Sequence, residues 1–160
     1  MNLDLTKKKS YVMGILNITP DSFYDGGKYT TLNNIMFKVE QMIAEGMDII
    51  DIGGESSRPG SARISTQEEI DRVLPVVKKI RENYEIPISI DSMKPEVITE
   101  LLPYKIDIIN DISSLSDLRF IDIIKANNIY VCLMHMLDCP ETMQNNPTYS
   151  SVVDTVQSYL

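Results

Sequence analysis

Residues 13–28, MGILNITPDSFYDGGK, determine how the rest of this 160-residue chain is interpreted. An apolar run at 12–16 predicts a short β-strand that stops at the polar residue Asn17. The strand does not continue into a helix, because Pro20 fixes its own φ and disfavours helix at the residue before it. Two adjacent glycines then permit positive φ. Such a loop is either a surface connection rich in turn formers or a flap that closes over a ligand.

The composition is that of one soluble globular domain spanning residues 1–160. With 15 basic and 23 acidic side chains, the formal charge is −8, so we expect no nucleic-acid partner. The apolar runs are far shorter than the roughly 20 residues of a membrane-spanning helix, so we expect no membrane partner. Two cysteines do not make a disulfide framework, and we expect a cytoplasmic protein.

Strand-like apolar runs alternate with helix-like periodicity along the chain. The predicted strands are 12–16, 47–52, 86–90, 106–109 and 129–134, and the predicted helices are 32–43, 65–80, 97–102, 117–125 and one that begins at Val152. Gly46 is the expected C-cap of the first helix, and Ser65 with Glu68 forms a capping box for the second. Pro75 is expected to kink that helix or end it early.

This alternation predicts a parallel α/β sheet covered by helices, because the strands are too uniformly apolar to have a solvent face. Neither a GxGxxG nor a GxxxxGK[ST] motif occurs, which disfavours a nucleotide-binding doubly wound sheet. The remaining choice is a (β/α) barrel.

A polar side chain follows each apolar run: Asn17, Glu55, Asp91, Asn110 and His135. In parallel α/β folds the carboxyl ends of the strands converge on the ligand site, so these residues predict one. The alternative is that such residues are turn formers and helix caps, which is sufficient to explain Ser92 and Asp111.

The chemistry of these side chains suggests a heterocycle that carries a phosphate group, without identifying it. The Asp91 carboxylate can accept two parallel N–H bonds from an aminopyrimidinone edge, and Asn110 can donate and accept beside it. Arg58 suits an anionic group. Cys132, His135 and Cys139 do not have a common zinc spacing; we expect Cys132 in the core and His135 in structural packing.

The motifs MGILNITPDSFYDGG, IDIGGESSRPGS, ISIDS, INDISSL and VCLMHM, in this order, resemble dihydropteroate synthase over essentially the whole chain. The resemblance implies a (β/α)8 TIM-type barrel. It also implies a transferase of folate biosynthesis that joins p-aminobenzoate to 6-hydroxymethyl-7,8-dihydropterin diphosphate, with Mg²⁺, and that is a sulfonamide target. The products would be 7,8-dihydropteroate and pyrophosphate.

The resemblance also implies roles for residues at the strand ends. Asp91 and Asn110 would hold the edge of the pterin ring, with Met134 packing near it. Asn17 would lie on the side of the Mg²⁺ and the pyrophosphate, as a metal ligand.

Residues of the first two loops would complete the site. Ser57 and Arg58 would contact the diphosphate or its surroundings, and Phe23 with Pro59 would wall the p-aminobenzoate pocket. Asp25 would approach the reacting centre. Since pyrophosphate leaves first in the family's reaction, Asp25 and Asp91 would stabilise the resulting pterin cation.

A full (β/α)8 barrel takes roughly 200 residues or more, so we expect this chain to supply about the first five β/α units and to be incomplete at its C-terminus. We expect the piece alone to be inactive. Two alternatives remain: a pterin-binding barrel of the methyltransferase kind, and a non-catalytic half-barrel that binds a pterin or a partner chain through its open edges. A homodimer is also left open.

Overall fold

A computed structural model of the chain describes residues 10–18, 28–56, 62–139 and 142–160. Within these residues the strands are β1 Met13–Asn17, β2 Ile49–Gly53, β3 Ile88–Asp91, β4 Ile108–Asp111 and β5 Tyr130–Leu133. The helices are α1 Lys28–Ala44, α2 Thr66–Asn83, α3 Pro95–Leu101, α4 Arg119–Asn127 and α5 Val152–Tyr159. A short 3₁₀ helix, Leu102–Tyr104, follows α3. The predicted alternation of strands and helices is confirmed.

The five described strands form one parallel sheet in the order β1-β2-β3-β4-β5. Each strand therefore lies next to the strand that follows it in the chain, with a helix in every connection. This sequential order is that of a (β/α) barrel, whereas a doubly wound sheet reverses its order at a switch point.

The strand register places one row of residues across the sheet near its carboxyl end. The row consists of Asn17, Gly53, Asp91, Asn110 and Cys132, each the Cα partner of the next. Because side chains alternate between the two faces of a strand, residues paired in this way share a face. The sheet thus collects three of the five predicted strand-end residues, Asn17, Asp91 and Asn110, on one side, whereas Glu55 and His135 lie beyond the paired strand residues.

Apolar residues form a core between the strands and the helices. Its buried members include Ile52, Val77, Ile90, Ile98 and Phe120, which come from two strands and three helices. Burial of each such side chain stabilises the fold by about 1.5–3 kcal/mol. The helices therefore cover the face of the sheet opposite the polar row.

The predicted helix signals are mostly confirmed. Gly46 has φ +97°, as its C-cap position requires, and the Ser65 side chain accepts a hydrogen bond from the Glu68 backbone at the start of α2. The expected early end at Pro75 is wrong, because α2 continues through it to Asn83. The buried face of α2 on both sides of Pro75 offsets the one backbone donor that proline removes.

The prediction that no strand has a solvent face holds for β2, whose residues are all buried, but is wrong for the outer strands. Ile15 on β1 is 63% exposed, and Tyr130 on β5 is also exposed. The physical reason is that β1 and β5 each pair with only one neighbour in the described sheet.

Arg81, near the end of α2, forms several hydrogen bonds at the end of the sheet opposite the row of polar residues. Its guanidinium donates to the carbonyl oxygens of Tyr104, Ile86 and Lys105 over 3.0, 2.9 and 2.7 Å. It also lies 3.3 Å from a carboxylate oxygen of Asp107. These contacts join α2 to the segments that lead into β3 and β4.

In the described part of the chain, every helix is too short or too polar to cross a bilayer.

Candidate ligand site at the carboxyl ends of the strands

Asn17 and Asp91 converge on the space that Gly53 leaves open. A Cβ atom at Gly53 would lie 3.4 Å from Asn17 Oδ1 and 3.4 Å from Asp91 Oδ2. All three are the last residues of their strands, whereas the sequence predicted that Asn17 and Asp91 would follow theirs. The missing side chain at Gly53 thus lets an amide oxygen and a carboxylate face one another across β2.

Asp51 joins this site and was not foreseen from the sequence. Its Oδ2 accepts a hydrogen bond from Asn110 Nδ2 over 3.0 Å. Its other oxygen, Oδ1, is buried without a partner among the described residues, as is Oγ of Ser89, its Cα partner on β3. Buried polar atoms nearly always have partners, so Asp51 Oδ1 is a position for a ligand or water donor.

The sequence did contain one indication that Asp51 belongs to this site, namely its spacing from Gly53. It precedes Gly53 by two residues in a predicted strand and therefore points to the same face.

The electrostatic environment of Asp91 is unusual for an aspartate. Burial, followed by the negative charges of Asp51, Glu69, Asp111 and Glu55, raises the pKa of Asp91 to about 7. The carboxyl group thus takes up a proton much closer to neutral pH than an ordinary aspartate does. A ligand that presents N–H donors would favour the ionised form, because a carboxylate accepts such bonds and is stabilised by them.

A cleft next to Asp91 is lined by Glu55, Ser56, Arg63, Glu69, Asp91, Ser92, Met93 and Ile112. Arg63 Nη1 contacts Glu55 Oε1 over 3.1 Å. The amino group of Lys94 also contacts Glu55, and it lies 2.6 Å from Oε2 of the buried Glu69. The sequence had singled out only Arg58 as a cation at this end of the sheet, so Arg63 and Lys94 are additions.

Ser92 and Asp111 act as turn formers, as the alternative interpretation held. Ser92 Oγ accepts a hydrogen bond from the backbone of Lys94. The Asp111 carboxylate accepts bonds from the backbone nitrogens of Ser113 and Leu115 over 2.8 and 2.6 Å. These bonds shape the turn after β4.

Cys132 was expected in the core, and this expectation is wrong. The residue is exposed on the outer strand β5, and its register partner is Asn110. Desolvation, followed by the charges of Asp51 and Asp91, raises the pKa of the Cys132 thiol. Cys132 therefore lies on the same face as the site residues.

Met134 and His135 follow β5 directly. The Met134 carbonyl oxygen accepts a hydrogen bond from Ser114 Oγ over 2.6 Å. The His135 ring packs edge-on against Tyr159, with centroids 4.8 Å apart, and lies 5.8 Å from the Tyr149 ring. These ring contacts agree with the structural packing expected of His135.

Five predicted site residues lie outside the described part of the chain: Phe23, Asp25, Ser57, Arg58 and Pro59. Of the others, the structure brings Asn17, Asp91 and Asn110 together at one end of the sheet. Met134 lies beyond the end of β5.

Asn17 offers the oxygen that a divalent cation shared with a phosphate would need. Among the described residues there is no group of three or more acidic, histidine or cysteine side chains suited to a metal ion. Mg²⁺ commonly keeps several waters and binds through one or two protein oxygens plus substrate phosphates. The Asn17 amide oxygen fits this mode of binding.

A parallel β/α sheet in sequential strand order, with its polar side chains at the carboxyl ends of the strands, defines the class as an α/β-barrel protein. Within this class, the chain belongs to the pterin binding enzyme family, whose sequence profile matches residues 13–160. The predicted family resemblance is thereby confirmed.

Comparison with related proteins supports the same assignment. The dihydropteroate synthase of Escherichia coli K12 is 47% identical over 158 residues, which cover 99% of this chain and 55% of the relative. The structure of the Yersinia pestis enzyme in complex with a sulfonamide drug superimposes with a TM-score of 0.86 at 41% identity. The match covers 98% of this chain and 56% of the Yersinia chain. The Burkholderia cenocepacia enzyme complexed with 7,8-dihydropteroate superimposes with a TM-score of 0.79 at 40% identity. The match covers 96% of this chain and 51% of the Burkholderia chain.

The chain therefore spans about half the length of the relatives it matches. The fold is that of the dihydropteroate synthase structures, and the chain supplies five β/α units of the (β/α)8 barrel. The fold prediction is confirmed.

Proposed function

We propose that this chain is the N-terminal portion of a dihydropteroate synthase, which condenses 6-hydroxymethyl-7,8-dihydropterin diphosphate with p-aminobenzoate in folate biosynthesis. The observation that carries the proposal is the cluster of Asp51, Asp91 and Asn110 on three consecutive strands. Two carboxylates and one amide form an edge that matches a ring carrying several N–H donors next to a carbonyl group. The sequence identity to the named relatives supports the same activity.

In this proposal Asp91 and Asn110 bind the pterin edge, and Asp51 acts with them. The hydrogen bond to Asp51 fixes the orientation of the Asn110 amide, because the amide nitrogen must face the accepting carboxylate. Asp51 Oδ1 then remains as an acceptor for a ring N–H or for a bridging water. Met134, beyond β5, would pack near the ring.

The diphosphate group would lie towards Asn17, with Ser57 and Arg58 contacting it. Asn17 would supply a protein oxygen to Mg²⁺, which when bound offsets the negative charge of the departing pyrophosphate. Support for this arrangement comes from the position of Asn17 Oδ1, which faces the same open space at Gly53 as the Asp91 carboxylate.

The chemistry proposed is dissociative. The bond between the pterin methylene carbon and the diphosphate oxygen breaks first and leaves a cation spread over the pterin. Negative charge at Asp91, together with Asp25 of the first loop, stabilises that cation. The amine of p-aminobenzoate, between Phe23 and Pro59, then attacks the methylene carbon and releases a proton.

The test is pyrophosphate release by the complete protein made by the source cells, measured with and without p-aminobenzoate. Release that requires p-aminobenzoate supports the synthase. Pterin binding without any requirement for p-aminobenzoate would indicate a methyltransferase-type barrel instead. The isolated 160-residue chain serves as a comparison, and we expect it to show no turnover; turnover by it would disprove that expectation.

A second candidate, a non-catalytic half-barrel that binds a partner chain, is favoured by one observation: the exposed apolar residues of the outer strands, including Ile15. An intact native mass equal to the 18.1 kDa of this chain, with no turnover, would support it. The cytoplasmic location, the homodimer and the Mg²⁺ requirement remain predictions of the synthase proposal.

A further inference from the structure

Lys94 connects three parts of the chain around the cleft. Its amino group contacts a carboxylate oxygen of Glu55, which follows β2, and Oε2 of Glu69 in the first turn of α2 over 2.6 Å. It also donates to the Ile64 carbonyl oxygen over 3.0 Å. Lys94 itself is the N-cap residue of α3, and its backbone nitrogen bonds to Ser92 Oγ.

The two flanks of segment 57–61 therefore meet at one ammonium group. Glu55 precedes the segment and Ile64 follows it, and both bind Lys94. The sequence assigned Ser57, Arg58 and Pro59 of this segment to the substrate site. The hydrogen bonds of the Lys94 amino group within the described residues go to Glu55, Ile64 and Glu69, so a role for it would act through the positions of Glu55 and Ile64.

Loss of the Lys94 ammonium group would leave two largely buried carboxylates without its positive charge, which destabilises the fold. Glu69 is 1% exposed, and the Glu55 side chain is 9% exposed. Partial burial lowers the pKa of Lys94, but the hydrogen bonds to Glu55 and Glu69 outweigh it and raise the pKa above its ordinary value. The amino group thus stays charged and offsets two carboxylates that lie close to Asp91.

We propose that Lys94 is a positioning residue, whose ammonium group joins the residues before and after segment 57–61 to the start of α3. It thereby fixes the positions of Glu55 and Ile64 relative to α3. The catalytic part of this inference rests on the proposed function, since a synthase would need the segment in place for p-aminobenzoate. The structural part does not.

The experiment uses the complete protein and three variants. Lys94→Met removes the ammonium group but keeps an unbranched chain of similar length. Lys94→Met combined with Glu69→Gln also removes the carboxylate that would be left buried without a partner, while Glu55 retains Arg63. Lys79→Met is the matched control, since Lys79 forms a comparable but exposed ion pair with Glu82 on α2.

Hydrogen exchange of the backbone amides in peptides covering 55–65 is the first measurement, because it does not depend on activity. We expect exchange about tenfold faster in both Lys94 variants, as loss of a charged hydrogen bond predicts, and unchanged exchange in Lys79→Met. Exchange that does not respond to Lys94→Met overturns the proposal.

Steady-state kinetics are the second measurement. We expect the KM for p-aminobenzoate to rise about tenfold in both Lys94 variants, with kcat changed far less, since lost positioning removes binding. Stability should recover in the double variant, but KM should not. A KM that returns to the wild-type value together with stability would mean that Lys94 only balances the charge of Glu69, and would overturn the proposal.

The two proposals fail separately. If the wild-type protein shows no p-aminobenzoate-dependent turnover while exchange still responds to Lys94→Met, the proposed function is wrong and the positioning role of Lys94 stands.

Discussion

Asn110 on β4 donates a hydrogen bond to Asp51 on β2 over 3.0 Å, across the intervening strand β3. The two residues are 59 positions apart in sequence. Asp91 lies on β3 between their strands, as the register partner of Asn110. The bond therefore places an oriented amide and two carboxylates at one end of the sheet.

The Asp51–Asn110 bond leads to a prediction for Asp51→Asn. The substitution keeps the volume but replaces an obligate acceptor by an amide, so the orientation of Asn110 is no longer fixed. We expect affinity for a 6-hydroxymethylpterin ligand to fall about tenfold, the effect of one lost charged hydrogen bond. Titration calorimetry on the complete protein measures this, with the exposed Asp122→Asn on α4 as control. Equal affinity in both variants would remove Asp51 from the site.

The raised pKa of Asp91 predicts how stability depends on pH. The carboxyl group ionises at 3.8 in its ordinary environment and at about 7 in the folded chain, so ionisation favours the unfolded state. The contribution of Asp91 to stability is thus fully present below pH 3.8 and is lost as the pH rises through about 7.

Asp91→Asn removes this dependence. We expect the variant to be more stable than wild type above pH 7 by up to about 4 kcal/mol, since one pKa unit corresponds to about 1.4 kcal/mol, with the difference vanishing at acid pH. Urea unfolding at several pH values measures it. The same variant should bind the pterin weakly, because an amide cannot accept two parallel N–H bonds. A stability gain that does not change with pH would contradict the assigned cause.

Local patterns in the sequence predicted the elements well, for a physical reason. The periodicity of apolar residues records which face of each element is buried, and this is enough to locate five strands and the helices between them. Strand ends shifted by one or two residues, because a strand continues as long as its neighbour offers partners. Asn17 and Asp91 are strand residues on account of their pairing with Gly53.

The parts of the site that sequence analysis missed depend on contacts between distant residues. Asp51 lies within an apolar run and looks like a strand interior until the register sets it beside Ser89 and near Asn110. Lys94 and Glu69 are 25 positions apart, and no local pattern connects them. Cys132 was misplaced because an apolar run does not tell an outer strand from a central one.

The contacts of Arg81 lead to a prediction about the free energy of unfolding that does not involve the ligand site. Its guanidinium satisfies three backbone carbonyl oxygens at the end of the sheet away from Asp91. We expect Arg81→Met to destabilise the protein by about 2–4 kcal/mol, since charged hydrogen bonds contribute about 1.5–3 kcal/mol each and this side chain is partly exposed. Ligand affinity should stay unchanged. Urea midpoints and calorimetry on the same sample check both parts, and reduced affinity without reduced stability would contradict them.

Gly53 and Gly54 are neighbours whose substitution by alanine should have opposite consequences. A Cβ at Gly53 meets Asn17 Oδ1 and Asp91 Oδ2 at 3.4 Å, which is ordinary van der Waals contact. At Gly54 a Cβ would lie 2.9 Å from Val73 Cγ1 and 3.2 Å from the Glu69 backbone oxygen. Only the first methyl group fits without movement of α2.

We therefore expect Gly53→Ala to keep the stability of the wild type but to weaken pterin binding at least about tenfold, because the methyl group occupies the space between two ligand-facing side chains. Gly54→Ala should lower stability by about 1–3 kcal/mol, the usual result of overpacking. Thermal unfolding and calorimetry on both variants separate the effects. Should Gly53→Ala bind the pterin as wild type does, the ligand does not enter the space between Asn17 and Asp91, and the assignment of the site to this end of β2 would have to be abandoned.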